Sequence, residues 1–333
     1  MINKTIASIL VLSIGLVGCS ENGQNKNGQE EEVVENPASQ TIPKEAEGLL
    51  GRWDLTLDMD GSPAPGWLEV SLSGFSTLVG NFVSYTGSAR PVSHIKLDGN
   101  TFSFAIPPQW EGGAGDFVVE GEFTEGALKG TLTSNKGESY SFTGVPAPYL
   151  VRESQPEWGD EIVLFNGEDL SGWNLSADKE NWVVEDGILV CKEAGANLIS
   201  EETFDDFKLT AEFRYPEGSN SGIYLRGRYE VQIEDSPLDK HPGSLYFGGI
   251  YGFLSPNRMA TLGPNEWQEF EITLVGRLVT IVANGHTIIS EQEIPGITGG
   301  ALDSNEGERG PIYLQGDHGP IEFRKLTIIP AKN

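Results

Sequence analysis

Six polar side chains recur at every second position in the stretch GIYLRGRYEVQIED, residues 222–235. Tyr224, Arg226, Arg228, Glu230, Gln232 and Glu234 share one face of an extended strand, and Ile223, Leu225, Tyr229, Val231 and Ile233 share the other. Carboxylates, guanidinium groups, an amide and a phenol in a row are groups that hydrogen-bond sugar hydroxyls or move protons. A solvated sheet face with cross-strand ion pairs fits the same pattern.

Glu230 and Glu234 stand four residues apart, about 13 Å at Cα on a strand. Paired carboxylates cleave glycosides when their oxygens approach to about 5 Å, or to about 6.5–9.5 Å around a water. Side chains splayed on a curved strand reach the wider spacing. A second polar stretch near the C-terminus holds Gln315, Asp317, His318, Glu322 and Arg324. His318 sits in a turn between Asp317 and Gly319, and histidine titrates near neutrality. It is the first candidate for a general acid or base, with an exposed turn histidine as the plain alternative. His241 falls in a loop that can rim a cleft, whereas His94 and His286 read as structural or exposed.

Other chemistries lack support. No GxSxG elbow, HExxH, P-loop or helix-opening GxGxxG is present, and four histidines are few for a His-built metal site. The chain carries 49 acidic against 22 basic residues, a formal charge of -27, which excludes a nucleic-acid partner because neutralising phosphates requires clustered Lys and Arg.

The N-terminus carries a targeting signal. Lys4, an apolar run from Ile6 to Val17 and then Leu16-Val17-Gly18-Cys19 resemble the signal peptide and lipobox of bacterial lipoproteins. The resemblance implies a leader over residues 1–18, lipidation of Cys19, and membrane attachment through that lipid. Ser20 after the cysteine resembles an outer-membrane address, hence a cell-envelope location. Residues 19–47 are rich in Asn, Gln and Glu and read as a flexible tether. Cys191, the remaining cysteine, lies in an apolar run and reads as a small core residue.

The rest is an all-β chain. Forty-two Gly, 19 Pro and short alternating runs separated by turn dipeptides such as Asp60-Gly61 and Asn284-Gly285 point to antiparallel strands joined by tight hairpins. Residues 48–149 read as a small accessory β domain, a meander curling into a barrel or sandwich. Trp53, Trp67, Trp110 and Tyr85 there can stack on sugars but suit a core better. A Pro-flanked linker leads to a larger sandwich over residues 158–331, with Trp173, Trp182 and Trp267 assigned to its core.

Six motifs in this second part, LFNGEDLSGW, WVVEDGILV, SNSGIYLRGRYEVQIED, GGIYG, EWQEFEITLVGRLVTIVANG and GPIYLQGDHGPIEFRKL, occur in the order seen in the 3-keto-disaccharide hydrolase domain family. The resemblance implies a concanavalin A-like jelly-roll sandwich acting on oxidised saccharides, the 3-keto-glycosides. By motif it implies Glu230 and His318 sharing the acid and base work and Arg226 stabilising an enolate. Gln232, Gln315, Glu234, Tyr224, Tyr251 and Arg324 would contact substrate. It implies Asp235 as a brace or a metal ligand, so a divalent cation held by oxygens is compatible with the site; no other cofactor is called for. EVQIE also resembles the ExDxE strand of retaining sandwich-fold glucanases, with Gln232 in place of the central Asp. A non-catalytic carbohydrate-binding lipoprotein and a glucanase-like glycosidase are the alternative readings.

Overall fold

A computed structural model describes residues 45–332. The leader, Cys19 and most of the Asn- and Glu-rich segment lie outside the described residues. The described part is entirely β and turn.

Eight strands form the first half: β1 (Gly51–Met59), β2 (Ser62–Ser73), β3 (Thr77–Val83), β4 (Arg90–Asp98), β5 (Thr101–Ile106), β6 (Phe117–Thr124), β7 (Ala127–Thr133) and β8 (Ser139–Pro146). They run as an antiparallel meander, and β8 pairs back onto β1 to close a barrel. Alternation sets the inside: in β5, Phe102, Phe104 and Ile106 point inward while Thr101 and Ala105 face out. The β1–β2 turn places Asp60 at φ 54° and Gly61 at φ 89°, the left-handed pair that matches strand twist in a two-residue hairpin. Ala46 and Leu49 are buried against the barrel, and Trp53 Nε1 donates to Leu49 O at 2.9 Å, so the packed part includes residues ahead of 48.

The second half begins with β9 (Ile162–Val163), β10 (Trp173–Leu175), β11 (Trp182–Glu185), β12 (Ile188–Cys191), β13 (Leu198–Phe204), β14 (Phe207–Arg214) and β15 (Asn220–Leu225). It continues with β16 (Tyr229–Glu234), β17 (Gln268–Val275), β18 (Leu278–Ala283), β19 (His286–Glu293), β20 (Gly310–Leu314) and β21 (Ile321–Pro330). One sheet has the order β10-β13-β20-β15-β16; the other runs β11-β12-β21-β14-β17-β18-β19, with β9 on β21. This is an antiparallel sandwich of the concanavalin A-like kind. Phe213, Phe247, Phe270 and Phe323 cluster between the sheets, with Phe213 and Phe270 ring centroids 4.8 Å apart. Ile223, Leu225, Tyr229, Val231 and Ile233 join that core, which turns the even-numbered face of β15 and β16 away from it.

Barrel and sandwich fall in one compact unit and share buried side chains. Trp67 on β2 is fully buried among sandwich residues, edge-on to Phe253 at 5.4 Å. Its indole occupies the space above Gly296, where a Cβ would stand 2.2 Å from the ring. Nearby the backbones touch: a Cβ on Gly299 would lie 1.9 Å from Gly87 O, and Gly300 N donates to Tyr85 O at 3.3 Å. Arg52 pairs with Glu293, and Ser304 Oγ donates to Leu55 O at 2.5 Å. The connecting segment is fixed by Arg152, which binds Asp206 at 2.7 Å and Asp205 at 2.9 Å.

Such shared burial makes the two halves unfold together. Calorimetry of the wild-type chain should show one cooperative transition. Trp67→Ala should lower stability by about 3–5 kcal/mol, the usual cost of emptying an aromatic core site. Two separate wild-type transitions would show that the contact between the halves is not part of the cooperative unit.

Candidate active site

A cavity of about 330 Å³ opens on the even-numbered face of β15 and β16, within the usual range for small-molecule sites. β15 supplies Asn220 and Tyr224, β16 supplies Glu230 and Gln232, and β20 with the turn after it supplies Tyr313, Gln315, Asp317 and His318. Tyr251, Gly299 and Gly300 come from loops that cover the edge strand β16. These loops are bonded to it through Tyr251 N to Glu230 O at 3.0 Å and Glu230 N to Thr298 Oγ1 at 3.0 Å. The barrel contributes Thr86, Gly87 and Trp110. A larger, more open groove of about 990 Å³ lies on the barrel strands β4 to β8, lined by Ser, Thr, Lys and acidic side chains. It shares no lining residue with the smaller cavity.

Glu230 is at the centre of the pocket. Gly222 faces it across the hairpin, and a Cβ there would stand 2.4 Å from the Glu230 carboxyl, so the missing side chain makes room for the acid. Burial without an opposing cation at contact pushes the carboxyl up to about 8, against the downward pull of the Tyr224 hydrogen bond and of His318. The Tyr224 hydroxyl lies 2.9 Å from both Glu230 Oε2 and Gly299 O. One hydroxyl proton serves only one of these acceptors at a time, so the phenol is shared between the Glu230 carboxyl and the Gly299 carbonyl. Tyr224 stacks on Tyr313 at 4.2 Å and 10°. Burial raises the phenols of Tyr224, Tyr251 and Tyr313, so all three remain donors.

His318 is half-exposed and its Nδ1 lies 2.6 Å from Asp317 Oδ1, which leaves Nε2 as its other working nitrogen. That hydrogen bond raises the imidazole above its ordinary value, with burial opposing. Burial acts to raise Asp317, but His318 and Asn197 outweigh it and hold the carboxyl low. Asp317 is therefore a carboxylate that orients the histidine. The amide oxygens of Asn220, Gln232 and Gln315 are buried with no hydrogen-bond partner among the described residues. Gln232 Nε2 donates to Leu245 O at 3.4 Å, which leaves its oxygen as an acceptor, whereas the Asn220 and Gln315 amides can be turned end for end to offer either a donor or an acceptor.

Of the residues singled out by sequence, Tyr224, Glu230, Gln232, Tyr251, Gln315 and His318 thus meet in one cavity. Four others do not. Arg226 has φ 53° in the turn between β15 and β16, where strand alternation stops. Its buried guanidinium leaves the pocket face for Gly276 O at 2.9 Å, Tyr229 Oη at 3.2 Å and Asp205 at 3.2 Å. Glu234 does not line the cavity; it accepts from Ser236 Oγ at 3.1 Å, which removes the second carboxylate of the paired-carboxylate reading. Arg324 is on the other sheet, bonded to Glu212 at 2.5 Å and lying over Trp267. Trp267 is accordingly a half-buried residue between Arg214 and Arg324 rather than a core side chain. Asp235 accepts from Gly218 N at 2.8 Å and braces that turn. Among the described residues no group of three His, Cys, Asp or Glu side chains is spaced to hold a metal ion.

Sequence reasoning missed Asn220, Tyr313, Thr86 and Gly87, and it named Trp110 as able to stack on a sugar but preferred it in a core. Asn220 and Tyr313 share the parity of Tyr224 and Gln315, so the same alternation contained them. Nothing local marks Thr86 or Gly87, whose place at the pocket arises from contacts more than 100 residues distant. Trp53 and Trp67 are core as expected, but Trp110 is 64% exposed.

The raised Glu230 carboxyl has a consequence for stability. A carboxyl at about 8 when folded and near 4.5 when unfolded holds its proton longer in the native state. Stability from this group is therefore full below pH 4.5 and is lost as pH rises toward 8. Glu230→Gln should be more stable than wild type, with a margin that grows by up to about 1.4 kcal/mol per pH unit across that window. Denaturant titrations at pH 4, 6 and 8 measure it, and a constant margin would contradict the burial of an ionisable carboxyl. Tyr224→Phe should raise the Glu230 midpoint further, readable by carboxyl NMR.

Comparison with solved structures finds similarity to two proposed glycosyl hydrolases of Parabacteroides distasonis. One is 26% identical, covering 54% of this chain and 93% of the other with a TM-score of 0.45; the second is 18% identical over 52% and 94%, TM-score 0.42. A laminarinase from Flavobacterium sp. UMI-01 is similar at 12% identity over 53% of this chain and 100% of its own, TM-score 0.34. No curated protein sequence matches the chain. Residues 160–329, the sandwich and its pocket strands, match the 3-keto-alpha-glucoside-1,2-lyase-like domain. The chain therefore carries a carbohydrate-active enzyme domain and belongs to the 3-keto-alpha-glucoside-1,2-lyase-like family.

Proposed function

We propose that the protein cleaves 3-keto-glycosides by elimination across C1 and C2. The observation that carries this reading is the pairing, in one pocket, of an acid held protonated by burial and a histidine oriented by a carboxylate. A ketone at C3 acidifies the C2–H bond. Neutral His318 takes that proton through Nε2, and the electron pair becomes the C1=C2 double bond as the C1–O bond breaks. Protonated Glu230 delivers its proton to the departing oxygen, so the aglycone leaves as an alcohol. Negative charge that develops on the C3 oxygen meets the donors of the pocket, the phenols and the amide group of Gln315. These occupy the role that sequence assigned to Arg226. Water added across the double bond then gives the free 3-keto sugar, with Glu230 and His318 each returned to its starting state.

Acid and base are opposed in pH. Activity needs His318 neutral and Glu230 protonated, so kcat/KM should be bell-shaped with its alkaline limb near pH 8. Glu230→Gln and His318→Ala should each lower turnover of a 3-keto-glucoside by about 10²–10⁴-fold. An unoxidised glucoside should not be cleaved. In deuterated water the released keto sugar should carry deuterium at C2. Hydrogen retained at C2 would replace elimination by direct hydrolysis, cleavage of only the unoxidised glucoside would favour a glucanase-like reaction, and binding without cleavage would leave a lectin.

The leader and lipobox support a lipoprotein of the cell envelope, held to the outer membrane through Cys19. Incorporation of labelled fatty acid in wild type but not in Cys19→Ser is expected; equal labelling would exclude that anchor.

A further inference from the structure

The barrel does more than support the sandwich. Its 107–116 loop, between β5 and β6, carries Trp110 to the pocket mouth with 64% of the side chain exposed. An indole left in water on a mobile loop would be unremarkable, since single exposed apolar residues are common. This loop is fixed from beneath. Arg90, itself buried, pairs with Glu111, whose other oxygen accepts from Gln109 N at 2.8 Å and Trp110 N at 3.1 Å. Gln109 Nε2 donates to Ser88 Oγ at 2.8 Å, and the Arg90 guanidinium stacks on Phe117 at 5.0 Å. A buried guanidinium paired with a partly buried carboxylate holds this solvent-facing loop, and it fixes a broad aromatic surface at the edge of a polar pocket.

The pocket also has a direction. Its unpartnered amides and Glu230 are at the sheet floor, where a ring rich in hydroxyls can be bound from several sides. Trp110 is at the mouth. A glycoside whose keto ring lies on the floor, with its C1–O bond at Glu230, must send the group beyond that oxygen outward. Gly87, whose backbone meets Gly299, also lies against the Trp110 indole, so the exposed ring flanks the cavity on the side where barrel and sandwich join.

We propose that the barrel supplies the leaving-group subsite, with Trp110 as a stacking surface for a second sugar or comparably broad ring. This rests on the reading of Glu230 as the acid at the glycosidic oxygen. It makes the protein selective for 3-keto-disaccharides over 3-keto-glycosides with small aglycones, a selectivity located outside the family domain.

The test compares kcat/KM for a 3-keto-disaccharide and for methyl 3-ketoglucoside. Trp110→Ala should lower the ratio between them by about tenfold, and Trp110→Phe should restore most of it. Thermal unfolding of both variants should match wild type, because the side chain is exposed. An unchanged ratio in Trp110→Ala would overturn the subsite. If wild type cleaves neither compound, the elimination reading fails and calorimetric titration with the unoxidised disaccharide decides the subsite separately. Binding that Trp110→Ala weakens about tenfold would sustain it; binding indifferent to Trp110, or no binding, would overturn it.

Discussion

The close approach of barrel and sandwich determines the character of the pocket. Trp67 reaches out of the barrel into the sandwich core because position 296 has no side chain to oppose it, and Gly87 and Gly299 allow two backbones to meet. That contact places Thr86, Gly87 and Trp110 opposite the polar face of β15 and β16. Without it that face would be covered only by the sandwich's own loops, which carry Tyr251, Gly299 and Gly300. With it Glu230 lies in a low-dielectric enclosure, and its ordinary carboxyl becomes an acid that holds a proton near neutrality.

The same enclosure buries charge that the chemistry does not use. Glu306 is fully buried and accepts from Arg277 at 2.5 Å and from Tyr229 Oη at 2.8 Å. Asp54 on β1 is close enough to Glu306 that burial, then that second carboxylate, push it up to about 9. Buried ionic groups contribute little net stability relative to apolar packing, yet removing one partner is costly. Asp54 brings β1 of the barrel up to this sandwich network. Arg226 belongs to this network through Tyr229, which accounts for a buried guanidinium so near the pocket that does not enter it.

Strands whose alternation is clean could be read directly. Phe207–Arg214, Tyr229–Glu234 and Leu278–Ala283 follow from period-two apolar residues, and the Asn284-Gly285 hairpin from the left-handed conformations that both residues adopt, φ 50° and 75°. β13 and β19 were not legible. In β13 the register shifts between Ile199 and Thr203, and most of β19 is exposed at a sheet edge, so neither strand shows a sustained two-residue rhythm. The reading failed at Arg226 for a related reason: alternation was carried through a turn, where a residue's parity no longer fixes its direction.

The sequence alone determined which residues could share a strand face, and therefore that Tyr224, Glu230 and Gln232 would stand together, because strand geometry is local and repeats every second residue. It also determined the all-β architecture and the order of the family motifs. Only the tertiary structure decided which face was enclosed, that Glu234, Arg324 and Asp235 would be spent on other contacts, and that a barrel tryptophan would stand over the site. Desolvation and long-range contact have no local signature in a sequence. They arise when distant segments exclude water from one another, and that exclusion turns a polar strand face into a site.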